Sequence, residues 1–235
     1  MKTCIVKGFV DVPGTKYYYY HGMLRPCNIQ PEIVCFDKVD TTEGYGPEKT
    51  KTFSSYYDVG WNYGDFVYAD GHDHVSGGIY GPYVGQSKED FGGGLYYYQF
   101  YRMGLVWDTV ILPWDCLIVS AKVILKITDK WSGVTFDLVL MNGTPDYPHT
   151  SDNIYDYDIT NYSGNYGSIP ITAPGEIEID LTSGGLLLIN KTGYTKFALL
   201  SSDDIDEKIP TANDTIGING ISSYIKLKVV YKEKL

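Results

Sequence analysis

The sequence is short of positive charge, of patterned cysteine and of long apolar runs, and each shortage removes a class of function. Its 235 residues carry 19 Lys+Arg against 29 Asp+Glu, a formal net charge of −10, so a phosphate backbone or an anionic lipid surface is repelled rather than recruited. No nucleic-acid partner is expected. The longest apolar stretches, such as residues 186–189 and 117–119, fall far below the ~20 residues that cross a bilayer as a helix, and no membrane insertion is expected. Near the start, Lys7 and Asp11 interrupt what would have to be an uncharged h-region, which predicts no secretory signal. The four cysteines, Cys4, Cys27, Cys35 and Cys116, form no C-x-x-C pair, which speaks against zinc or redox chemistry and for buried free thiols. A Cys27 to Cys35 disulfide is allowed by separation but lacks an export signal to support it. The N-x-[ST] matches at Asn142, Asn161, Asn190 and Asn213 read as incidental on the same ground.

Helical periodicity is also missing: no apolar pattern at helical spacing persists for three turns, and the one helical turn expected, over residues 184–190, is a connector. What the chain has instead is 26 Gly, 11 Pro and 23 Tyr, with 43% hydrophobic and 20% charged residues. That is too apolar for disorder and enough to fill a core at this length. Short β-rich runs recur between turn-formers, which predicts an all-β, antiparallel sandwich with a small β-rich N-terminal segment. The clearest strands lie over residues 117–127, 134–141, 176–181, 195–200 and 224–231. In Glu176-Ile177-Glu178-Ile179-Asp180-Leu181 the alternation is strict, placing three carboxylates on a wet face and three aliphatics on a core face. Tyr224-Ile225-Lys226-Leu227-Lys228-Val229 repeats the device with lysines. Apolar residues nearly vanish over residues 41–51, a linker composition. It separates an N-terminal docking segment with strand-like runs at 3–10, 16–20 and 32–36 (domain 1–50) from the sandwich (51–235). A segment of that size is near the limit for holding a core alone.

For catalysis, a nucleophile with its base, a metal cluster or paired carboxylates is required. No Ser-His-Asp signature is present, Gly92-Gly93-Gly94 lacks the Lys or Thr of a phosphate loop and reads as a turn, and Gly71-His72-Asp73-His74 reads as a polar loop rather than a chelate. The chain is expected not to be an enzyme. Acidic runs at Asp203, Asp204, Asp206 and Glu207, and at Asp152, Asp156 and Asp158, offer hard oxygen ligands of the kind calcium takes, though neither has EF-hand spacing. The tyrosines are too many for one core. Rings with a polar tip suit sugar stacking and protein interfaces, so Tyr96, Tyr98, Tyr155, Tyr157 and Tyr162 are candidate glycan or interface residues. Trp131, in the turn Asp129-Lys130-Trp131-Ser132-Gly133, is the candidate exposed platform.

From about Thr52 onward the chain resembles the DNRLRE-type β-jelly-roll family, also catalogued as a carbohydrate-binding module. The resemblance is carried by Tyr101-Arg102-Met103-Gly104-Leu105-Val106-Trp107-Asp108-Thr109-Val110-Ile111-Leu112-Pro113, similar to Arg-x-x-Leu-x-Phe-Asp-x-x-x-Ile-Pro with Trp107 in place of Phe and Leu112 inserted. It continues through Ile118-Val119-Ser120-Ala121-Lys122-Val123-Ile124-Leu125 and closes with Gly193-Tyr194-Thr195-Lys196-Phe197-Ala198-Leu199-Leu200-Ser201-Ser202-Asp203-Asp204 and the last strand. The resemblance implies a core position for Trp107, a structural ion pair from Arg102 to Asp108 or to a carboxylate of the acidic loops, and a structural calcium. Domains of this kind occur in secreted polysaccharide-active enzymes, surface adhesins and phage virion or tail proteins. The expectation is therefore a non-enzymatic structural or attachment subunit of a phage or virus particle. It would assemble in the host cytoplasm, dock through its N-terminal segment onto other virion subunits, form a homo-oligomer and meet host-surface glycans. The alternative is a carbohydrate-binding module or a cell-surface adhesin or filament subunit, placed outside the cell.

Overall fold

The computed structural model describes residues 3–5, 9–12, 15–20, 23–26, 34–36, 44–55, 57–65, 78–80, 82–130, 133, 135–143, 159–220 and 222–235; for those up to 36, and for 57–65, 78–80 and 222, the backbone alone is described. The chain divides into two units, Met1–Gly44 and Tyr45–Leu235. In the first, β1 (Thr3–Ile5) pairs antiparallel with β5 (Val34–Phe36). Between them in sequence lies the meander β2 (Phe9–Val12), β3 (Thr15–Tyr20) and β4 (Met23–Pro26), close to the runs expected from β propensity.

The second unit is the expected antiparallel β-sandwich. Its strands are β6 (Tyr45–Ser54), β7 (Tyr57–Asp65), β8 (Gly78–Tyr80), β9 (Tyr83–Asp90), β10 (Tyr96–Asp108), β11 (Leu117–Lys130), β12 (Asp137–Asn142), β13 (Ser163–Pro170), β14 (Gly175–Asp180), β15 (Tyr194–Ser201), β16 (Asp214–Ile218) and β17 (Lys226–Lys234). A hydrogen-bonded path runs β13-β12-β15-β10-β9-β16-β11-β17-β6, with β7 also on β10 and β14 also on β11. The ladder bends over one core. Met103, Leu105 and Trp107 of β10, Ala121, Val123, Leu125 and Ile127 of β11, Leu138 and Leu140 of β12, Phe197 and Leu199 of β15, and Leu227 and Val229 of β17 all point into it. Trp107 is fully buried and meets Phe197 edge-on, with ring centroids 6.4 Å apart.

The period-two reading holds strand by strand. Ile179 and Leu181 are buried while Glu176, Glu178 and Asp180 are exposed. Ile225, Leu227 and Val229 are buried in the same manner. The wet face of β14 meets Lys122 across the ladder, whose ammonium lies 2.6 Å from Glu178 and 3.7 Å from Asp180. Residues 45–51, read from composition as linker, are instead the first part of β6, an edge strand on β17 with Tyr45 opposite Lys234 and Lys51 opposite Val229. An edge strand needs no apolar alternation because one side of its ladder and most of its side chains face water, and Pro and Lys are tolerated there. Only Phe53 of β6 enters the core.

Outside this core, the opposite face of β12 and β15 carries a second cluster of Val139, Met141, Tyr162, Ala198 and Leu200. Two short helices follow strands on the rim: α1 (Ser183–Leu187), capped by Thr182, and α2 (Ser202–Ile205), capped by Ser201. Gly85 of β9 has φ +129°, and a Cβ there would lie 2.1 Å from the backbone oxygen of Asp214. Gly85→Ala is expected to destabilise the second unit by about 2 kcal/mol or more, combining strained backbone with a contact that only strand separation relieves; urea unfolding followed by tryptophan fluorescence measures it.

Candidate functional site

Arg102 projects from the outer face of β10 and is buried, as is Asp204 on α2. The guanidinium Nε donates to Asp204 Oδ2 at 2.7 Å and its terminal nitrogen to Oδ1 at 2.8 Å, a two-pronged pair. The structural pairing expected of Arg102 therefore runs to the acidic loop after β15 and not to Asp108. Asp108 is exposed and accepts from the Val110 amide at 3.1 Å, capping the turn that leaves β10. Of the expected calcium ligands, Asp204 is occupied by Arg102. Asp203 and Asp206 share the Lys208 ammonium, at 2.7 and 3.3 Å, which holds the lysine pKa above its ordinary value. Among the described residues no group of three His, Cys, Asp or Glu side chains is arranged to hold a metal ion. In this acidic run Asp203 and Asp206 are met by the neighbouring Lys208, and Asp204 by Arg102, 102 residues away in sequence.

Asp214, opposite Gln86 in the β16 to β9 register, has its carboxyl pKa raised, first by burial and then by the charge of Asp203. The Gln86 amide donates to the Lys208 carbonyl at 2.6 Å, tying the acidic loop down to β9.

The aromatic candidates fall in three groups. Tyr162 is buried in the second cluster, where it packs with Val139, Met141, Ala198 and Leu200, which corrects its assignment as a glycan or interface residue; it follows directly on the short 3-10 turn Ile159–Asn161. Tyr96 and Tyr98 are half-buried on the β9–β10 hairpin, and the Lys88 ammonium sits 3.6 Å from the Tyr96 ring centroid and 5.8 Å from that of Tyr98. A cation already covers the Tyr96 face, so that ring is not an open platform. The hairpin tip is a tight turn, with Gly92, Gly93 and Gly94 all at positive φ, and it carries Phe91 edge-on to Tyr97 at 6.0 Å. Trp131, Tyr155 and Tyr157, the acidic run at Asp152, Asp156 and Asp158, and the His72 and His74 pair all lie outside the described residues.

The most exposed aromatic platform among the described residues is one that the sequence reading passed over. The loop from β10 to β11 reads Thr109-Val110-Ile111-Leu112-Pro113-Trp114-Asp115-Cys116. Leu112 is buried beneath it, whereas Val110, Ile111 and Trp114 are 56%, 64% and 75% exposed. Single exposed apolar residues are ordinary, but three in five positions are not.

The loop is held rigidly from below. The fully buried Thr109 hydroxyl donates to the Asn190 carbonyl at 2.5 Å and lies 2.7 Å from the Thr195 hydroxyl, which in turn accepts from the Asn190 amide at 2.9 Å. The Thr109 amide donates to the Gly193 carbonyl, Leu112 to Thr109, and Cys116 to Pro113. Lys191 reaches across to the Cys116 carbonyl at 2.9 Å. The arrangement holds Val110, Ile111 and Trp114 in water on a loop whose base is tied to the 190–195 segment. A run of Val, Ile, Leu, Pro and Trp between two aspartates and two strands was the signal that could have flagged it.

No protein-family model matches the chain, the DNRLRE-type model included, and no curated protein matches it. Among solved structures, the K1 cleaved adhesin domain of Lys-gingipain from Porphyromonas gingivalis W83 is similar at 9% identity and a TM-score of 0.22, over 81% of this chain and 99% of that one. A likeness at that level carries no argument about this chain. No helix among the described residues is long and apolar enough to cross a membrane.

Two outcomes follow from this geometry. Asp204→Asn or Arg102→Met leaves an uncompensated buried charge and is expected to cost about 3–5 kcal/mol in urea unfolding, with the double variant costing less than the sum of the two. For Asp214, a raised carboxyl pKa means that the folded state favours the protonated form, so its contribution to stability is present at acid pH and lost as pH rises through the folded value. Asp214→Asn should therefore melt higher than the parent at pH 7, with the gap closing below the ordinary aspartate range near pH ~4.

Proposed function

We propose that the protein is a non-enzymatic attachment module of the adhesin kind, engaging its target through the pinned Val110 to Trp114 loop and working at a cell surface or outside the cell. The single observation that carries this reading is that three large apolar side chains stand in water on a loop whose backbone is locked by the Thr109 knot. A rigid apolar tip that includes a tryptophan has the composition of an interface hot spot, and its rigidity avoids an ordering cost on binding. The charged clusters described above support the same reading, since Arg102, Asp204, Asp203, Lys208, Lys122 and Glu178 are committed to one another. The particle-subunit role rests on the family resemblance alone and has no supporting observation in the fold or the site.

Two ligand chemistries suit an exposed indole, and the flanking aliphatics separate them. Val110 and Ile111 complement an apolar patch on a protein, whereas a sugar ring needs the indole face with polar neighbours. The neighbouring aliphatics favour a protein target. The test is binding of the labelled full chain to intact cells and to a glycan array, comparing the parent with Trp114→Ala and Ile111→Ser. Both variants should lose at least about tenfold in cell binding, since a hot-spot truncation removes about 2 kcal/mol, while their melting points stay within a degree or two. Retained binding by both variants would overturn the role of the loop. Loss on Trp114→Ala alone, together with a signal on the glycan array, would make the target a sugar.

A further inference from the structure

The N-terminal unit has 44 residues, a size at which a hydrophobic core seldom suffices and small units rely on a covalent or metal staple. Its termini are brought together by β1 and β5, and in that three-residue ladder Cys4 stands directly opposite Cys35, flanked by Thr3 opposite Phe36 and Ile5 opposite Val34. Directly opposed residues on antiparallel strands have Cα atoms roughly 4.5–5.5 Å apart, inside the roughly 4.4–6.8 Å that a disulfide spans. Sequence separation allows a Cys27 to Cys35 pair, but the reading from composition is free thiols; the register sets Cys4 opposite Cys35 instead.

We propose that Cys4 and Cys35 form a disulfide that staples the first strand of the N-terminal unit to its last. The closed loop encloses the whole of the β2-β3-β4 meander, so the bond restricts the unfolded unit more than a Cys27 to Cys35 link would, its loop being far longer. The oxidant is a low-molecular-weight disulfide. The thiolate of one cysteine attacks it, forming a mixed disulfide and releasing one thiol. The second cysteine, as thiolate, then displaces the other thiol, so that two protein thiols lose two electrons and two protons while one small disulfide is reduced to two thiols. The inference rests on the strand register and is independent of the attachment reading, which concerns the other unit.

The test uses the full chain equilibrated with oxidised glutathione, alkylated under denaturing conditions and digested without reduction for mass spectrometry. The expected result is one linked peptide pair containing Cys4 and Cys35, 2 Da lighter than the two reduced peptides, with Cys27 and Cys116 alkylated. The same link should form in Cys27→Ser. Limited proteolysis supplies a second readout: reduction, or Cys4→Ser, should speed cleavage within residues 1–44 at least tenfold and leave the second unit unaffected. A link from Cys27 to either partner, four alkylated thiols after equilibration, or cleavage rates indifferent to reduction would each overturn the proposal.

Discussion

Two opposite charges held out of water organise the outer face of the sandwich. Arg102 leaves the central strand β10 on the side away from the main core, and burying a guanidinium there is tolerable only with a partner that meets both of its donor edges. Asp204 does so from α2, with its own amide bound to the Ser201 hydroxyl at 3.2 Å. That requirement dictates where the chain goes after β15. It must turn at once into α2, whose first residue, Ser202, accepts the Asp137 amide at 3.0 Å and so fixes the start of β12. Ile205 of the same helix closes over the cluster of Val139, Met141, Tyr162, Ala198 and Leu200, and the Lys208 carbonyl then falls within reach of Gln86. The pair gives the outer layer one geometry, in keeping with a two-pronged contact that tolerates little displacement.

The parts of the fold that could be read in advance are those where one face of a strand is wet. β11, β14 and β17 alternate because their outer residues, Lys122, Glu178 and Lys228 among them, meet solvent and each other. β6 could not be read that way, because an edge strand borrows its order from β17 and is free to be polar on both faces. The pairing of Arg102 was legible as a need for a carboxylate but not as a choice among carboxylates, since Asp204 lies 102 residues away and only the closed ladder brings it near. Tyr162 was misread for a related reason: it follows a polar, acidic stretch, and its burial depends on Gly143, where a Cβ would already lie 2.9 Å from its ring. Trp114 was not legible because it stands one residue beyond the segment 101–113 that carries the resemblance, and nothing in local composition marks one tryptophan of a loop as the exposed one.

Tyrosine abundance misled in a more general way. Several of the described rings sit at the boundary between core and water rather than on open platforms. Tyr166 leans on Phe197 with centroids 6.5 Å apart, Tyr83 meets Tyr101 at 6.0 Å, and Tyr96 lies beneath Lys88. A ring with a polar tip is the side chain best suited to a boundary between core and water, and a sandwich has a long boundary for its volume.

The β10 to β11 loop takes its form only once the sandwich has closed. Its base, Thr109, is bonded to Asn190, 81 residues away, and that contact forms only when Trp107 and Asp108 have found Thr195 and Tyr194 across the β10 to β15 ladder. Contacts so distant in sequence form late, because the loop-closure entropy must be met before they contribute. Before closure, Val110, Ile111 and Trp114 belong to a mobile connection between two strands; after it, Leu112 is held in the core and the other three are forced outward together. The exposure of the apolar tip is thus a consequence of how tightly its base is tied: the same knot that buries one residue of the loop leaves its neighbours no inward direction to take.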